Sequence, residues 1–212
     1  MNEYSPKEEQ LNIITHAFGF ALSILALVLL VKNASHYGDL LHIGSAVVYG
    51  GSLVVLYAAS TLYHSAKKQK LREHLNIFDH SAIYVLIAGT YTPFTLITLN
   101  SRIGWIIFSV SWGMAFIGII LKLFFIGKYK ILSTLIYVLM GWMIVFAIKP
   151  LINSLPPEGL HWLFAGGISY TIGAILYSVK KIKFNHAIFH VFVLIGSFCH
   201  FYSVFYYVIP CK

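Results

Sequence analysis

The sequence predicts an all-α membrane protein, a bundle of seven transmembrane helices, and two observations carry this prediction. Of the 212 residues, 58% are hydrophobic and only 10% are charged, against roughly 25% charged residues in an average soluble domain. The hydrophobic residues also fall into seven stretches, each close to the roughly 20 residues that a helix needs to cross a bilayer. A soluble fold of this length has no means of covering so much apolar surface.

Short polar segments separate the seven hydrophobic stretches. The predicted spans are Leu11–Val31, Leu41–Tyr63, Ile77–Leu99, Ile103–Ile126, Ile131–Ile148, Gly159–Val179 and His186–Ile209. Because the connections are short, helices that follow one another in sequence should be antiparallel neighbours, and residues 1–212 should form one domain. A six-span alternative would leave both termini on the same side of the membrane.

The third predicted span contains a local breaker, the segment Gly89-Thr90-Tyr91-Thr92-Pro93. Proline lacks a backbone N–H and clashes with the preceding turn, so Pro93 is expected to kink the helix there. The segment therefore predicts an interruption of the third helix. Its role is either a packing kink or a ligand gate.

The basic residues predict the orientation of the bundle. Ten of the fifteen lysines and arginines fall on the side of the N-terminus, namely Lys7, Lys67, Lys68, Lys70, Arg72, Lys128, Lys130, Lys180, Lys181 and Lys183. Four fall on the other side, namely Lys32, Arg102, Lys149 and Lys212, while Lys122 lies within the fourth span and could snorkel to the basic side. The positive-inside rule then places the N-terminus in the cytoplasm and the C-terminus outside. Because these bases form short runs between spans, the net charge of +8 does not indicate a nucleic-acid partner.

Polar and ionisable side chains inside a membrane are costly, so each one is a functional candidate. Nine of them lie near the predicted cytoplasmic ends of four spans: Glu9, Asn12 and His16; Ser60 and His64; Asp79 and His80; and His186 and His190. Antiparallel packing should bring these helix ends to one depth. Glu9, Asn12 and His16 have the i, i+3, i+7 spacing of one helical face and, like His80, are candidates to line a cavity or to make structural hydrogen bonds.

Three of the histidines match a metal site. His186 and His190 are spaced i, i+4, which puts their Cβ atoms about 6 Å apart on one face, and His64 lies at the same predicted depth. Three imidazoles with a fourth position open to water are a standard zinc site. There Asp79 would orient or deprotonate the water, and Ser60 would hydrogen-bond the water or the developing oxyanion.

The spacing alone does not distinguish this site from ordinary helix packing. Histidine pairs at i, i+4 recur on ordinary helices, and a histidine in a membrane bundle commonly makes an interhelical hydrogen bond. The pair also lacks the glutamate that follows the first histidine in soluble zinc peptidases. The peptidase mechanism therefore cannot simply be transferred.

The motifs resemble those of a known family. Glu9-x2-Asn12-x3-His16, Ser60-x3-His64 followed by Asp79, and His186-x3-His190 resemble the three motifs of the progestin and adiponectin receptor family. The stretch from Asp79 to Pro93 is similar to the bacterial branch of this family, the haemolysin III family. The resemblance covers essentially the whole chain. It implies that His64, His186 and His190 are zinc ligands, that Asp79 contacts the metal through water, and that Ser60 neighbours the site.

The resemblance also implies candidate functions. The family belongs to a wider group of seven-helix proteins suspected of metal-dependent hydrolysis, which includes alkaline ceramidases. We therefore expect a zinc-dependent hydrolase of a lipid amide or ester at the cytoplasmic side of the bilayer, in which zinc polarises the carbonyl, its water attacks and Asp79 carries the proton. The alternative is a non-enzymatic receptor or membrane-homeostasis sensor with a structural zinc.

A third function, a pore-forming cytolysin, is suggested by the family name and has the least support from the residues. No continuous charged stripe runs through the spans to line an aqueous pore. The expected partner is a membrane lipid, as substrate or ligand, and no protein partner is indicated. The expected location is the bacterial plasma membrane.

Overall fold

A computed structural model describes residues 4–125 and 130–209. Within these residues there are seven helical spans that are long and apolar enough to cross a membrane, which confirms the predicted fold class. The helices are α1 (Pro6–Tyr37), α2 (Leu40–Ser65), α3 (Gln69–Pro93), α4 (Arg102–Phe125), α5 (Lys130–Gly141), α6 (Ile148–Ser154), α7 (Pro157–Ser178) and α8 (Asn185–Ser203). Three residues named above, Ile126, Lys128 and Lys212, lie outside the described residues.

Short helical segments of other types complete three of the spans. A π-helix extends α3 over Phe94–Leu99, and a second extends α8 over Val204–Val208. A 3-10 helix, Met143–Ala147, joins α5 to α6, so that these two helices form one span. The third span is the most deeply buried. In an 18-residue apolar segment of this span, 72% of the residues are buried inside the protein, against 44% or less in every other described span. The third span is therefore central to the bundle.

The first two helices begin directly after capping residues, and α1 starts five residues before the predicted Leu11. Ser5 precedes Pro6, and its Oγ accepts a hydrogen bond from the backbone N–H of Glu8 over 3.2 Å. Asp39 forms a capping box with His42, accepting that residue's backbone N–H over 3.0 Å. Such caps satisfy N–H groups that have no partner within the helix. The two caps therefore stabilise the starts of α1 and α2.

Antiparallel connections bring four helix ends to one side of the bundle. Contacts between Asn12 and His64 and between His64 and His186 place the start of α1, the end of α2 and the start of α8 together. The side of the bundle that holds Pro6, Ser65 and Asn185 is called the N side below. The convergence follows from helix lengths and short connections, as the sequence predicts. The cytoplasmic orientation of this side stays a prediction.

The third helix begins eight residues earlier than the predicted start at Ile77. Asp79 therefore lies about three turns inside α3, where one turn was expected. The early turns are polar and were excluded by a search for apolar residues alone, but Gln69 and Glu73 hydrogen-bond at i, i+4 over 3.0 Å and support them. Arg72, counted above as a loop residue, lies in this extension.

The segment Gly89–Pro93 is itself α-helical, and the change of helix type falls at its end, where α3 passes from Pro93 into the π-helix Phe94–Leu99. A second change, which the sequence did not predict, lies in the fifth span. The helix α3 runs through Pro93, while the fifth span changes from α-helix to 3-10 helix at Trp142. Tyr91 stabilises this break, because its hydroxyl donates to the carbonyl of Gly141 and accepts the backbone N–H of Ile144, each over 2.9 Å. Non-helical backbone inside a membrane needs such partners.

Helices α7 and α8 pack closely at Gly166. A Cβ atom on Gly166 would lie 2.1 Å from Cδ2 of the His200 ring. That ring has little freedom to move, because His200 Nε2 donates to the carbonyl of Leu163 over 3.0 Å. His200 thus makes the interhelical hydrogen bond that is common for histidines in bundles, and Gly166 leaves the room for it.

We predict that Gly166→Ala destabilises the protein by about 1–3 kcal/mol, because the added methyl group overpacks a fixed ring. The measurement is the thermal unfolding temperature in detergent. Gly167→Ala is the matched control, since its Cβ would meet only Trp142 at 3.8 Å and alanine is the better helix former. Equal unfolding temperatures for Gly166→Ala and wild type would contradict the packing argument.

Candidate metal centre

Three buried histidines meet on the N side of the bundle. His64 lies in the last turn of α2, and His186 and His190 lie in the first turns of α8. One ring nitrogen from each lies within 4.8 Å of the other two. The Nε2 atoms of His64 and His186 are 3.1 Å apart. The arrangement could hold a metal ion between α2 and α8.

These distances agree with the dimensions of a zinc site. Zinc binds histidine nitrogens at about 2.0–2.1 Å, so two ligand nitrogens on one ion lie at most about 4.2 Å apart. The His64–His186 pair is already within this limit. No two ligand nitrogens of the group are more than 4.8 Å apart. This exceeds the limit of about 4.2 Å by about 0.6 Å, which a small rotation of one ring removes. The residues present therefore fit the ion.

Polar neighbours orient two of the three rings. His64 Nδ1 donates to Glu9 Oε2 over 2.8 Å. His190 Nδ1 lies 3.4 Å from Thr15 Oγ1, and because the Thr15 hydroxyl donates to the carbonyl of Leu11, its oxygen is left to accept from His190. A neutral imidazole that donates through Nδ1 has its lone pair on Nε2. Metal-binding histidines in general are held in this way by a carboxylate or another acceptor. Both rings thus offer Nε2 to the centre.

Glu9 connects three helices. One carboxylate oxygen accepts from His64, and the other forms an ion pair with Arg72 on α3. Asn12, one turn further along α1, donates its Nδ2 to the same carboxylate over 3.3 Å. Glu9 and Asn12 thus make hydrogen bonds beside His64, on the side of its ring that faces away from the other two histidines. Structural hydrogen bonds were one of the two predicted roles of these residues, and lining a cavity was the other.

His186 is held by aromatic rings and by a helix-terminal contact. Tyr4 stacks on it with ring centroids 4.7 Å apart, and Tyr177 packs against it at 5.3 Å. Burial raises the pKa of the Tyr4 hydroxyl above its ordinary value, so this group stays a neutral donor. The backbone N–H of His186 donates to Glu8 Oε1 over 3.3 Å, which places a carboxylate at the positive end of α8.

Asp79 and Ser60 lie beside the three histidines rather than among them. Asp79 is 8% exposed, shares the cavity wall with Ser60, and has its Oδ2 atom 3.7 Å from Nδ1 of His80. It is not one of the residues whose ligand atoms cluster within 4.8 Å. This placement is compatible with contact through a water molecule. The roles of both residues stay predictions.

His16 forms the wall behind His190. Their rings are stacked with centroids 3.4 Å apart and an angle of 12° between the planes, and His16 also meets Tyr57 edge-on at 5.1 Å. Both nitrogens of His16 are buried without a hydrogen-bond partner among the described residues. The structure places His16 against a candidate ligand and next to a cavity.

A cavity of about 450 Å³ opens from the histidines into the bundle. Its polar end holds His186, His190, Asp79, Ser60, His16 and His80. Beyond them the wall is mostly apolar and includes Leu56, Ile83, Leu86, Phe189 and Val193, and it ends near His200. Since His186 and His200 both line the cavity and are fourteen residues apart on one helix, the cavity extends for roughly 20 Å along α8.

Sequence reasoning missed several residues of this region. Thr15, Tyr4 and Tyr177 orient or enclose the ligands, but hydroxyl and aromatic residues at helix ends are too common to signal a site. Arg72 could have been found, since Glu9 is an acidic residue at the edge of a predicted span and needs a cation. Lys122, expected to snorkel to the surface, is instead buried and lines the cavity.

The fold and the site together define the class of this protein. It is a multi-pass membrane protein with a candidate metal centre between helices that are distant in sequence. A family model described as "Haemolysin-III related" matches residues 4–201. The chain therefore belongs to the haemolysin III family, which confirms the resemblance found in its motifs.

Individual relatives agree with this assignment. The chain is 49% identical to Hemolysin-3 of Bacillus cereus over 204 residues, which covers 96% of this chain and 93% of the relative. It is 48% identical to the Hemolysin-3 homolog of Bacillus subtilis (strain 168), covering 96% of both. It is also 32% identical to the human Monocyte to macrophage differentiation factor over 210 residues, covering 94% of this chain and 84% of the relative.

We predict that Glu9→Gln weakens metal binding by about 10–100-fold, the usual effect of removing an acceptor behind a metal-binding histidine. The amide no longer fixes the proton of His64 on Nδ1. The measurement is zinc affinity by competition with a chelator. Glu158→Gln, an exposed carboxylate in the first turn of α7, is the control and should bind as wild type does. Wild-type affinity in Glu9→Gln would refute the orienting role.

Proposed function

We propose that this chain is a zinc-dependent hydrolase of a lipid amide or ester. The observation that carries the proposal is the long cavity, because it joins a group able to bind a metal and a buried carboxylate to an apolar wall. A volume of about 450 Å³ lies within the roughly 300–1,000 Å³ of ligand pockets. A site that only held the bundle together would not require such a cavity.

The shape and lining of the cavity suit a lipid. Leu56, Ile83, Phe189 and Val193 offer an apolar surface for an acyl chain. Except for His200 at the far end, the ionisable residues of the wall gather at the N side. A lipid with its chain in the apolar part would present its amide or ester linkage to Asp79 and Ser60. The remote apolar contacts then position the scissile bond.

His64, His186 and His190 are the residues that would hold the metal, and three imidazoles favour zinc over hard cations such as magnesium. When bound, zinc supplies a Lewis acid for an acyl carbonyl. Glu9 and Thr15 keep the Nε2 atoms of His64 and His190 directed at the centre. The stacked ring of His16 restricts the rotation of His190.

Asp79 acts as the general base and acid in this proposal. It accepts a proton from a water molecule that attacks the acyl carbon, and it returns the proton to the leaving nitrogen or oxygen. The Ser60 hydroxyl, on the same cavity wall, would donate to the carboxylate and orient it, or turn toward the developing oxyanion. Burial of the carboxylate excludes bulk water, so the donated and accepted proton stays in the site.

The N side is the cytoplasmic side in this proposal, since the basic residues are concentrated there. The reaction then takes place at the level of the inner leaflet of a bacterial plasma membrane. Residues 1–212 act as one unit, because the ligands come from α2 and α8 at opposite ends of the chain.

We predict that Asp79→Asn lowers hydrolysis of a fluorogenic lipid amide or ester by at least about 100-fold, the lower range for loss of a general base. Zinc content should stay at the wild-type level, because Asp79 is not a ligand. Ser60→Ala should cause a smaller loss. Normal turnover in Asp79→Asn, or loss of zinc together with activity, would contradict the assignment. Glu158→Gln, which changes an exposed carboxylate of α7 that does not line the cavity, is the control.

A second candidate function is a receptor or membrane-state sensor in which zinc is structural. It is favoured by the direct approach of His64 and His186 from α2 and α8, 3.1 Å apart, because an ion there would tie these helices together. The two functions differ in their response to chelation. A structural ion predicts a large fall in unfolding temperature on chelation and no turnover of any lipid tested.

The name of the Bacillus cereus relative, Hemolysin-3, raises pore formation as a third function. An aqueous pore requires a continuous polar path across the bundle. The wall of the described cavity is mostly apolar beyond its N-side end, so the geometry favours a lipid over a column of water. Pore formation therefore ranks below both other functions.

A further inference from the structure

A buried lysine faces the cavity across from the histidines. Lys122 lies in the last turns of α4 and is only 7% exposed. A lysine near the end of a membrane helix ordinarily extends its ammonium to the interface. Lys122 lines the cavity instead, together with Ser133, Thr134 and Tyr137 of α5. An ionisable group kept inside a membrane protein at this cost is a functional candidate.

The ammonium of Lys122 gives one part of the cavity wall a positive charge, and hydroxyl groups lie beside it. Its Nζ donates to Ser133 Oγ over 2.7 Å and lies 5.8 Å from the centroid of the Tyr137 ring. An ammonium has three donors and acts as a compact positive charge. Hydroxyl groups beside such a charge complete a set of donors of the kind that phosphate oxygens accept.

Tyr137 connects this lysine to the proposed catalytic residues. Its hydroxyl donates to the backbone carbonyl of His80 over 3.0 Å, and His80 directly follows Asp79. Lys122 and Asp79 therefore lie at the same N-side end of one cavity, and Tyr137 contacts both Lys122 and the residue that follows Asp79. A ligand that reaches Asp79 with its acyl linkage would place a nearby substituent beside Lys122.

We propose that Lys122, with Ser133, binds the anionic phosphate of a lipid headgroup in this cavity. The inference rests on the proposed function and narrows it, since the substrate class becomes a lipid that has a phosphate a few bonds from its acyl linkage. The apolar wall takes the acyl chain and Lys122 takes the phosphate. A lipid with an uncharged headgroup lacks the second contact.

Binding of a matched pair of lipids tests the proposal without any need for turnover. The probes are a monoacylglycerol phosphate and the monoacylglycerol with the same acyl chain, which differ only in the phosphate, and inorganic phosphate alone. Affinities are measured by isothermal titration calorimetry in an uncharged detergent. The variants are Lys122→Met, Lys122→Gln and Lys122→Arg, and Lys181→Gln removes one exposed charge on the same side as a control.

Wild type and Lys181→Gln should bind the phosphate-bearing lipid about 10–100-fold more tightly than the uncharged lipid, the effect of a charge-assisted hydrogen bond. Lys122→Met should lose this preference while binding the uncharged lipid unchanged, and Lys122→Arg should keep most of it. If Lys122→Met does not fold, Lys122→Gln, which keeps a polar tip, is judged by the same criterion.

Three outcomes would overturn the proposal. One is a preference for phosphate that survives in a folded Lys122→Met or Lys122→Gln variant. Another is an equal loss of affinity for both lipids, which indicates a purely structural lysine. The third is inorganic phosphate binding as tightly as the lipid, which indicates a site for the free ion. Hydrolysis is measured separately, so phosphate-selective binding without turnover would refute the proposed hydrolase and leave the headgroup site standing.

Discussion

The carboxylate of Glu9 is the contact on which the geometry of this protein depends. It accepts the Nδ1–H of His64 and pairs with Arg72, and so joins α1, α2 and α3 at one point. An unsatisfied carboxylate or imidazole in a membrane is costly, so these groups stabilise the bundle only when they are together. The same contact leaves His64 Nε2 directed at His186 and His190. Helix packing and the candidate metal centre therefore share one set of hydrogen bonds.

The cavity gives this polar cluster its functional meaning. The N-side end holds His186, His190, Asp79 and Lys122, and the mostly apolar remainder follows α8 toward His200. This change from polar to mostly apolar lining matches a lipid molecule, which is polar at its headgroup and apolar along its acyl chain. The break in the fifth span, stabilised by Tyr91, places Gly141 and Trp142 in the cavity wall.

The sequence was sufficient for the fold class, because seven apolar stretches of spanning length leave few alternatives. It also predicted that His64, His186 and His190 lie at one depth, since short loops impose alternation. The break at Trp142 was not predictable, as it depends on the hydroxyl of Tyr91 from another helix. The early start of α3 was missed because its first turns are polar, and with it the position of Arg72. Tertiary contacts of this kind leave no periodic signal in one sequence.

The central claim, that three imidazoles from α2 and α8 hold one ion, is tested most directly by zinc stoichiometry in the purified protein. Dialysed wild-type protein should retain one zinc per chain. His64→Ala, His186→Ala and His190→Ala should each lose it, whereas His161→Ala, an exposed histidine on α7, should not. Retention of a full equivalent of zinc in any of the three variants, or absence of zinc from the wild type after reconstitution, would contradict the account.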